Sequence, residues 1–222
     1  MNFTILAIVL VFIVVLSIAI RRSDKKDKEA EKKFWEREHD ANFARKKNID
    51  SLEYVVIPDD ILSIINNIDS EISSSDELND AIAIVNDLKN KKIYNLNGIS
   101  NTDVKLTYGA SNITLLSEYD ENYSMLIKSL DYIAGAILGY PSENEVKENI
   151  DKSRRENAKT ILEFATANQS DIARTYRMLS EIYISDGEAI KLHILSKNAE
   201  KISTFRGDSI RKLIKSKMDE AL

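Results

Sequence analysis

Residues 3–20 read FTILAIVLVFIVVLSIAI, a run without a single charged side chain. A helix of about 18 residues is about 27 Å long, close to the roughly 30 Å thickness of a bilayer's hydrocarbon core. A helix also satisfies its backbone polar groups internally, as lipid requires. The run therefore predicts a single transmembrane helix, which we place at residues 1–22.

A cleaved signal peptide and a buried core helix are the alternatives to this anchor. A signal peptide has a basic stretch before a shorter apolar segment and a small-residue cleavage site after it. Here only two uncharged residues precede the run, and the SIAI sequence at residues 17–20 matches such a site poorly. A core helix of this length is seldom apolar on every face. The pattern therefore favours the anchor.

Basic residues follow the apolar run, and none precedes it. Arg21, Arg22, Lys25 and Lys26 lie directly after it, close to acidic residues. Because positive flanks stay on the cytoplasmic side, the sequence predicts a single-pass protein of the cell membrane with its N-terminus outside and its C-terminal domain in the cytoplasm. The cluster could also contact anionic headgroups. A stop-transfer flank without a further role is the alternative.

Composition limits the function classes open to the rest of the chain. Of its 222 residues, 43% are hydrophobic and 30% are charged, as is usual for folded protein. The lack of cysteine excludes disulfides, thiolate metal sites and cysteine nucleophiles. A net charge of −5 argues against nucleic acid as the main partner. Six glycines and two prolines favour an all-α fold.

Residues 23–58 predict a charged juxtamembrane helix followed by a linker. Good helix formers without glycine or proline dominate the stretch up to residue 48, which we expect to continue the anchor as a stalk. Phe34 and Trp35 are expected to dock on the protein's own domain, with a partner protein as the alternative. Residues 49–58 are rich in strand-forming side chains and end at Pro58, which favours an extended linker packed on the domain.

Residues 59–116 predict a helical subregion. Asp59 or Asp60 is placed to cap a short helix, and Ser74 with Glu77 forms a capping-box pattern before a second helix. Residues 93–116 leave two alternatives open. A hairpin could turn at Asn97-Gly98, or short helical turns could start at Ser100 or Thr102 and stop at Gly109. The helical character of the remaining chain favours the second.

Residues 117–222 carry apolar side chains at three- to four-residue spacing, which predicts a succession of amphipathic helices. Serine and aspartate residues mark predicted starts, and glycines mark predicted breaks. The predicted starts are at Ser117, Ser142 and Asp171, and the predicted breaks are at Gly139, Asp186-Gly187 and Gly207-Asp208.

Residues 173–202 read ARTYRMLSEIYISDGEAIKLHILSKNAEKI and resemble one tetratricopeptide repeat. Ala165 and Ala199 are 34 residues apart, the period of that family. An unrelated helical bundle is the alternative. The matching positions are Leu179, Ser180 and Tyr183 in the first helix, Gly187 in the turn and Ala199 in the second helix.

The resemblance implies stacked helix pairs whose first helices line a concave surface that binds other proteins. It places Arg174, Arg177 and Glu181 on the groove side of the first helix, about one turn apart. Two arginines there could take a carboxylate or an acidic peptide through charge-assisted hydrogen bonds. A solvated charged face without a ligand is the alternative.

The sequence contains no motif for catalysis or for a cofactor. His39 and His193 are far apart, neither lies in H-E-x-x-H, and no phosphate-binding or nucleophile-elbow motif occurs. We therefore expect no enzyme activity, cofactor or metal. The sequence predicts a membrane-anchored, cytoplasm-facing adaptor or scaffold that binds an unidentified protein. The alternative is a structural subunit of a membrane complex whose transmembrane helix packs on partner helices.

Overall fold

A computed structural model describes residues 3–68, 75–139 and 151–220. Within these residues the regular structure is entirely helical, so the all-α prediction is confirmed. A single 3-10 turn, Ala110–Asn112, precedes the longest helix of the C-terminal half. The α-helices are α1 (Phe3–Asn42), α2 (Asp59–Asn66), α3 (Asp76–Leu88), α4 (Asn101–Tyr108), α5 (Ile113–Ile137), α6 (Lys152–Ala167), α7 (Ala173–Ser185), α8 (Ala189–Glu200) and α9 (Gly207–Glu220).

The chain divides into two compact units, each assembled from two separate segments of sequence. The first unit consists of Met1–Ile49 and Ser100–Ile113. The second unit consists of Asp50–Ile99 and Thr114–Leu222. Contacts between residues far apart in sequence therefore hold each unit together.

In the first unit, the C-terminal end of α1 packs on α4. Arg37 donates a hydrogen bond to Asp103, and Thr102 donates one to Glu38. Ala41, one turn further along α1, is completely buried. These contacts join two helices that sequence spacing alone does not connect.

The second alternative for residues 93–116, short helical turns instead of a hairpin, is confirmed. Both ends of α4 lie where that alternative predicts them. The Ser100 side chain caps the helix by accepting a hydrogen bond from the Asp103 N–H, at 3.2 Å. Gly109 ends it with a φ of 94°. A Cβ at Gly109 would lie 2.3 Å from the Arg45 carbonyl oxygen, so the chain can pass this close only at a glycine.

Helix α1 is continuous from the apolar run into the charged stalk, and it ends at Asn42 rather than near residue 48. Phe34 and Trp35 are 55% and 62% exposed and contact each other edge to face, so the prediction that they dock on the protein's own domain is wrong. Among the residues that the structure describes, none of the helices combines the length and apolarity needed to cross a bilayer. The predicted transmembrane helix is therefore not supported by the structure.

The second unit holds the main hydrophobic core. Side chains such as Leu130 of α5, Ile161 of α6, Leu179 of α7 and Ile210 of α9 are completely buried. Their spacing follows the predicted amphipathic stripes. Residues 53–58, the end of the predicted linker before α2, form neither helix nor strand, and Ile57 reaches the core.

Helix α8 departs from its predicted stripe. The three- to four-residue spacing of apolar side chains in this part of the sequence includes Ile190 and Ile194 and predicts that they face the core, but they are 80% and 51% exposed. The helix instead turns Leu192, Leu195 and Ala199 inward. The exposed isoleucines lie one turn apart, so they share one face.

Several helix starts differ from the predicted caps. Helix α5 begins at Ile113, before Ser117, because the 3-10 turn leads directly into it. The N-cap of α7 is Ile172 instead of Asp171, and the N-cap of α2 is Pro58 instead of either aspartate.

Serine and aspartate side chains cap α3 and α6, as Ser100 caps α4. Ser75 accepts a hydrogen bond from Leu78 N–H at the start of α3, and Asp151 accepts one from Ser153 N–H at the start of α6. The predicted caps Ser74 and Ser142 lie outside the described residues. The predicted turn at Asp186-Gly187 is confirmed, with a φ of 70° at Gly187.

Candidate functional site

The second unit contains a cleft of about 450 Å³ where α5 meets three loops. We call it the α5 cleft. One wall is two turns of α5, and the other walls come from the loops before α7, before α9 and after residue 96. Its lining residues are Tyr123, Ser124, Ile127 and Lys128 of α5, Asp171 and Ile172, residues 203–206, and Asn97 with Gly98.

Polar side chains of α5 position the segment that leads to Asn97, which has no regular secondary structure. Asn122 donates from Nδ2 to the Lys92 carbonyl oxygen at 2.9 Å. One of the Asp120 carboxylate oxygens accepts a hydrogen bond from the Leu96 N–H at 2.7 Å. Burial raises the pKa of Asp120, and the bond from Leu96 partly opposes this shift. Side chains of α5 therefore hold this segment in place. In the sequence, they look like ordinary polar residues at the start of a helix.

The loop after residue 96 is tied to the loop before α9. Ser203 Oγ donates a hydrogen bond to the Asn97 carbonyl oxygen at 2.8 Å, across 106 residues of sequence. Gly98 has a φ of 81°, and a Cβ there would lie 2.2 Å from Ser203 Oγ. Glycine is therefore needed both for the backbone conformation and for the close approach of the two loops.

The floor of the cleft is a buried tyrosine. Tyr123 is 1% exposed and donates from its hydroxyl to the Asn168 carbonyl oxygen at 2.8 Å. Burial, and then the negative charge of Asp171, raise the pKa of this phenol well above its usual range. Tyr123 therefore stays neutral and acts as a hydrogen-bond donor that fixes the loop before α7 against α5.

The rim carries an aromatic side chain and two cations. Phe205 is 88% exposed, and the Arg206 guanidinium lies 5.4 Å from the centre of its ring. Arg206 Nη1 is 3.8 Å from Asp171 Oδ1, too far for a hydrogen bond. Lys128 is exposed and makes no ion pair with any residue in the described part of the chain. The rim can therefore bind a ligand that carries an anionic group next to an apolar group.

A smaller cavity of about 250 Å³ lies between α6, α7 and α8. Its charged groups already bind one another. Glu163 accepts hydrogen bonds from the Tyr183 hydroxyl at 2.9 Å and from Lys191 Nζ at 3.1 Å. Such a paired network stabilises the contact between helices, so it is the weaker candidate for a ligand site.

The structure separates the residues predicted to bind a partner. Arg174 pairs with Asp131 of α5, with 2.6 Å between Nη2 and Oδ2. Glu181 lies 3.7 Å from Lys217 of α9. Arg177 lies between them on α7. Arg174 and Glu181 thus have partners on different helices, and the role of the three predicted groove residues in binding stays a prediction.

The predicted membrane-flanking residues Arg21, Arg22, Lys25 and Lys26 are all exposed on α1. In the part of the chain that the structure describes, these four residues take part in one ion pair. It is a weak contact within the helix, in which Lys25 Nζ is 3.9 Å from Glu29 Oε1. Their positive charges are therefore available to anionic surfaces. No group of three or more potential metal ligands occurs in the residues that the structure describes.

Sequence reasoning missed Lys128, Phe205 and Arg206. Phe205 stands in the polar stretch STFRGD, residues 203–208, directly before a glycine. A lone aromatic residue in such a loop is a recognisable signal, because loops lie on the surface and seldom bury a large side chain. Lys128 has no comparable signal, since an isolated lysine on an amphipathic helix is ordinary.

Comparisons of the chain with protein-family models, with curated proteins and with solved structures find no match. A function for this chain therefore rests on its own residues and on the chemistry that they bring together.

Proposed function

We propose that the protein is a membrane-anchored adaptor whose second unit binds another protein at the α5 cleft. The observation that carries the proposal is the exposed ring of Phe205 at the rim of a cleft that also presents Lys128. A volume of about 450 Å³ falls within the range of roughly 300–1,000 Å³ typical of ligand sites. Aromatic side chains beside a cleft are common anchors of protein interfaces.

A tetratricopeptide-like arrangement of the C-terminal helices is part of this proposal. Helices α7 and α8 form a pair, and α9 packs on both. Leu179, Ser180 and Ala199, which stand where the repeat has its close-packed positions, are completely buried. Stacked helix pairs of this kind leave surfaces on which other proteins bind.

The membrane anchor is also proposed, and its support is the sequence of α1. Residues 3–20 carry no charge, and Phe12, Ile13 and Leu16 are exposed on the helix surface. Exposed apolar surface costs about 25 cal/mol per Å² in water, and insertion into lipid removes that cost. The basic residues after the run support a proposed cytoplasmic location for the second unit.

Photo-crosslinking tests the proposal. A photoreactive amino acid replaces Phe205 in the full-length chain, expressed in its native membranes, and Ile190 is the matched control position because it is 80% exposed outside the cleft. We expect one discrete adduct from position 205, lost when Lys128→Glu is added, and no such adduct from position 190. Equal adducts from both positions, or none from position 205, would overturn the proposal.

A further inference from the structure

We propose that the segment bound in the α5 cleft is a peptide with an acidic side chain next to an apolar one. The acidic group contacts Lys128, and the apolar group lies against Phe205 and Ile172. This inference rests on the proposed function, because it assigns the chemistry of the partner at the same site. It follows from the charge, the apolar surface and the rigidity of the cleft.

The charge of the cleft lining favours an acidic ligand. The lining contains two cations, Lys128 and Arg206, and one acid, Asp171. Asp171 is mostly buried and faces Arg206 at 3.8 Å, so these two charges largely offset each other. Lys128 has no such counter-charge among the described residues, and it leaves the lining with a net positive charge. A positive lining attracts acidic segments and disfavours basic ones.

The apolar surface beside that charge favours a ligand with an apolar side chain. Phe205 is 88% exposed, whereas Ile127 is 2% exposed and Ile172 is partly buried. All three side chains line the cleft. An apolar side chain placed on Phe205 would remove both surfaces from water, which is the main source of affinity in such contacts. A purely acidic ligand would leave this surface uncovered.

The loop that carries Phe205 is held in place before a ligand binds. Phe205 follows Ser203 in the loop that is hydrogen-bonded to Asn97, and Gly98 lets the two loops approach closely. A loop fixed at one end loses less freedom when a ligand orders its aromatic ring. The cleft is therefore formed before the peptide binds.

Fluorescence anisotropy with three labelled peptides of equal length tests the inference. The peptides alternate glutamate with leucine, lysine with leucine, and glutamate with serine. The full-length protein is held in nanodiscs of uncharged lipid, and empty nanodiscs give the background. We expect the glutamate–leucine peptide to bind tightest and the other two to bind at least about fivefold more weakly, as expected for loss of one charge contact or one apolar contact.

Matched variants locate the contacts. Lys128→Ala should weaken binding of the glutamate–leucine peptide about three- to fivefold, and Phe205→Ala should weaken it about tenfold. Lys215→Ala and Ile190→Ala remove an exposed cation and an exposed apolar residue outside the cleft, so they should leave binding unchanged.

Three results would overturn the inference. The lysine–leucine peptide could bind as tightly as the glutamate–leucine peptide, or Lys128→Ala could leave binding of the glutamate–leucine peptide unchanged. Free glutamate, added at the same concentration as the glutamate–leucine peptide, could displace that peptide. The last would indicate a site for a small anion. If a discrete adduct still forms at position 205 when the peptide preferences fail, the adaptor proposal stands and only the ligand chemistry is wrong. If both fail, the adaptor proposal fails as well.

Discussion

Arg174 of α7 donates hydrogen bonds from Nε and Nη2 to the same carboxylate oxygen of Asp131 on α5, at 2.9 and 2.6 Å. The other carboxylate oxygen accepts a hydrogen bond from the Thr175 hydroxyl at 2.8 Å. Asp131 is 5% exposed, so these donors replace the water that its carboxylate would otherwise bind. The ion pair thus joins α5 and α7, and the Arg174 side chain is oriented by α5.

Asp131→Asn should destabilise the protein by about 3 kcal/mol, because it leaves the Arg174 guanidinium facing a neutral amide in a largely buried place. Urea unfolding followed by circular dichroism measures the change in the free energy of unfolding. Asp219→Asn is the matched control, since Asp219 is exposed near the end of α9.

Adding Arg174→Met to Asp131→Asn should recover part of the loss, because the double variant has neither charge. A loss below about 0.5 kcal/mol for Asp131→Asn would place it among ordinary surface substitutions and would contradict the structural role of the pair.

Gly98→Ala should destabilise the protein by about 2–3 kcal/mol and should weaken peptide binding at the α5 cleft. The added Cβ would meet the Ser203 side chain at 2.2 Å, and the φ of 81° adds backbone strain. Thermal unfolding and the anisotropy assay measure the two effects.

Gly187→Ala separates steric overlap from backbone strain. Gly187 has a similar φ of 70°, but an added Cβ there would have nothing within 4 Å. Only the cost of about 1 kcal/mol for a left-handed residue is expected. Equal losses for the two variants would show that the contact with Ser203 has no effect.

The buried cluster around Lys159 should make stability depend on pH. Lys159 Nζ lies 2.7 Å from Glu188 Oε2, and this close ammonium group holds the pKa of Glu188 below the usual 4.5. Because the folded-state pKa is the lower one, the stabilisation is complete above about pH 5 and is lost as the pH falls through the folded-state value. The stability gap between wild type and Glu188→Gln should therefore shrink below about pH 5.

Chemical unfolding at a series of pH values measures that gap. In a Lys159→Met background the dependence should be smaller, because only the 3.4 Å contact of Glu188 with Lys191 remains. A gap that stays constant as the pH falls would contradict the assignment of the shift to Lys159.

Replacing Ile13 and Leu16 together by arginine should release the chain from membranes. Each arginine near the centre of a transmembrane helix costs about 2.5–3.5 kcal/mol on insertion scales. Alkaline carbonate extraction followed by immunoblotting measures the membrane-bound fraction. The same double replacement at Phe34 and Trp35, which are exposed but follow the basic cluster, should have no effect.

Exchange of residues 1–22 for an unrelated transmembrane helix distinguishes the adaptor from a structural subunit. An adaptor needs only attachment, so the adduct at position 205 should persist. A subunit whose helix packs on partner helices would lose its assembly, which blue native electrophoresis detects. Loss of the adduct in a chain that remains membrane-bound would favour the subunit.

Local chemistry explains what the sequence predicts correctly. Ser100 and Gly109 mark the ends of α4, and Gly187 marks a turn, because caps and left-handed glycines depend on their immediate neighbours. The amphipathic stripes likewise identify most of the core.

The errors arise where a distant residue determines the structure. Asp171 precedes an apolar stripe and looks like a cap, but it faces Arg206 of another loop. Arg174 looks like a groove residue, but it binds Asp131 at a separation of 43 residues. The α5 cleft likewise depends on contacts between distant residues, such as Ser203 with Asn97, so apart from the exposed Phe205 no local pattern indicates it.

The hydrogen bond between Ser203 and Asn97 also has a consequence during synthesis of the chain. One wall of the cleft emerges from the ribosome early and the opposite wall only after α8. A polypeptide terminated directly after α8 would keep eight of the nine α-helices named above but would lack the wall formed by residues 203–206, so a partner would have nowhere to dock. It would also lack the completely buried Ile210 of α9. Nonsense mutations after α8 should therefore abolish recruitment together with part of the core packing.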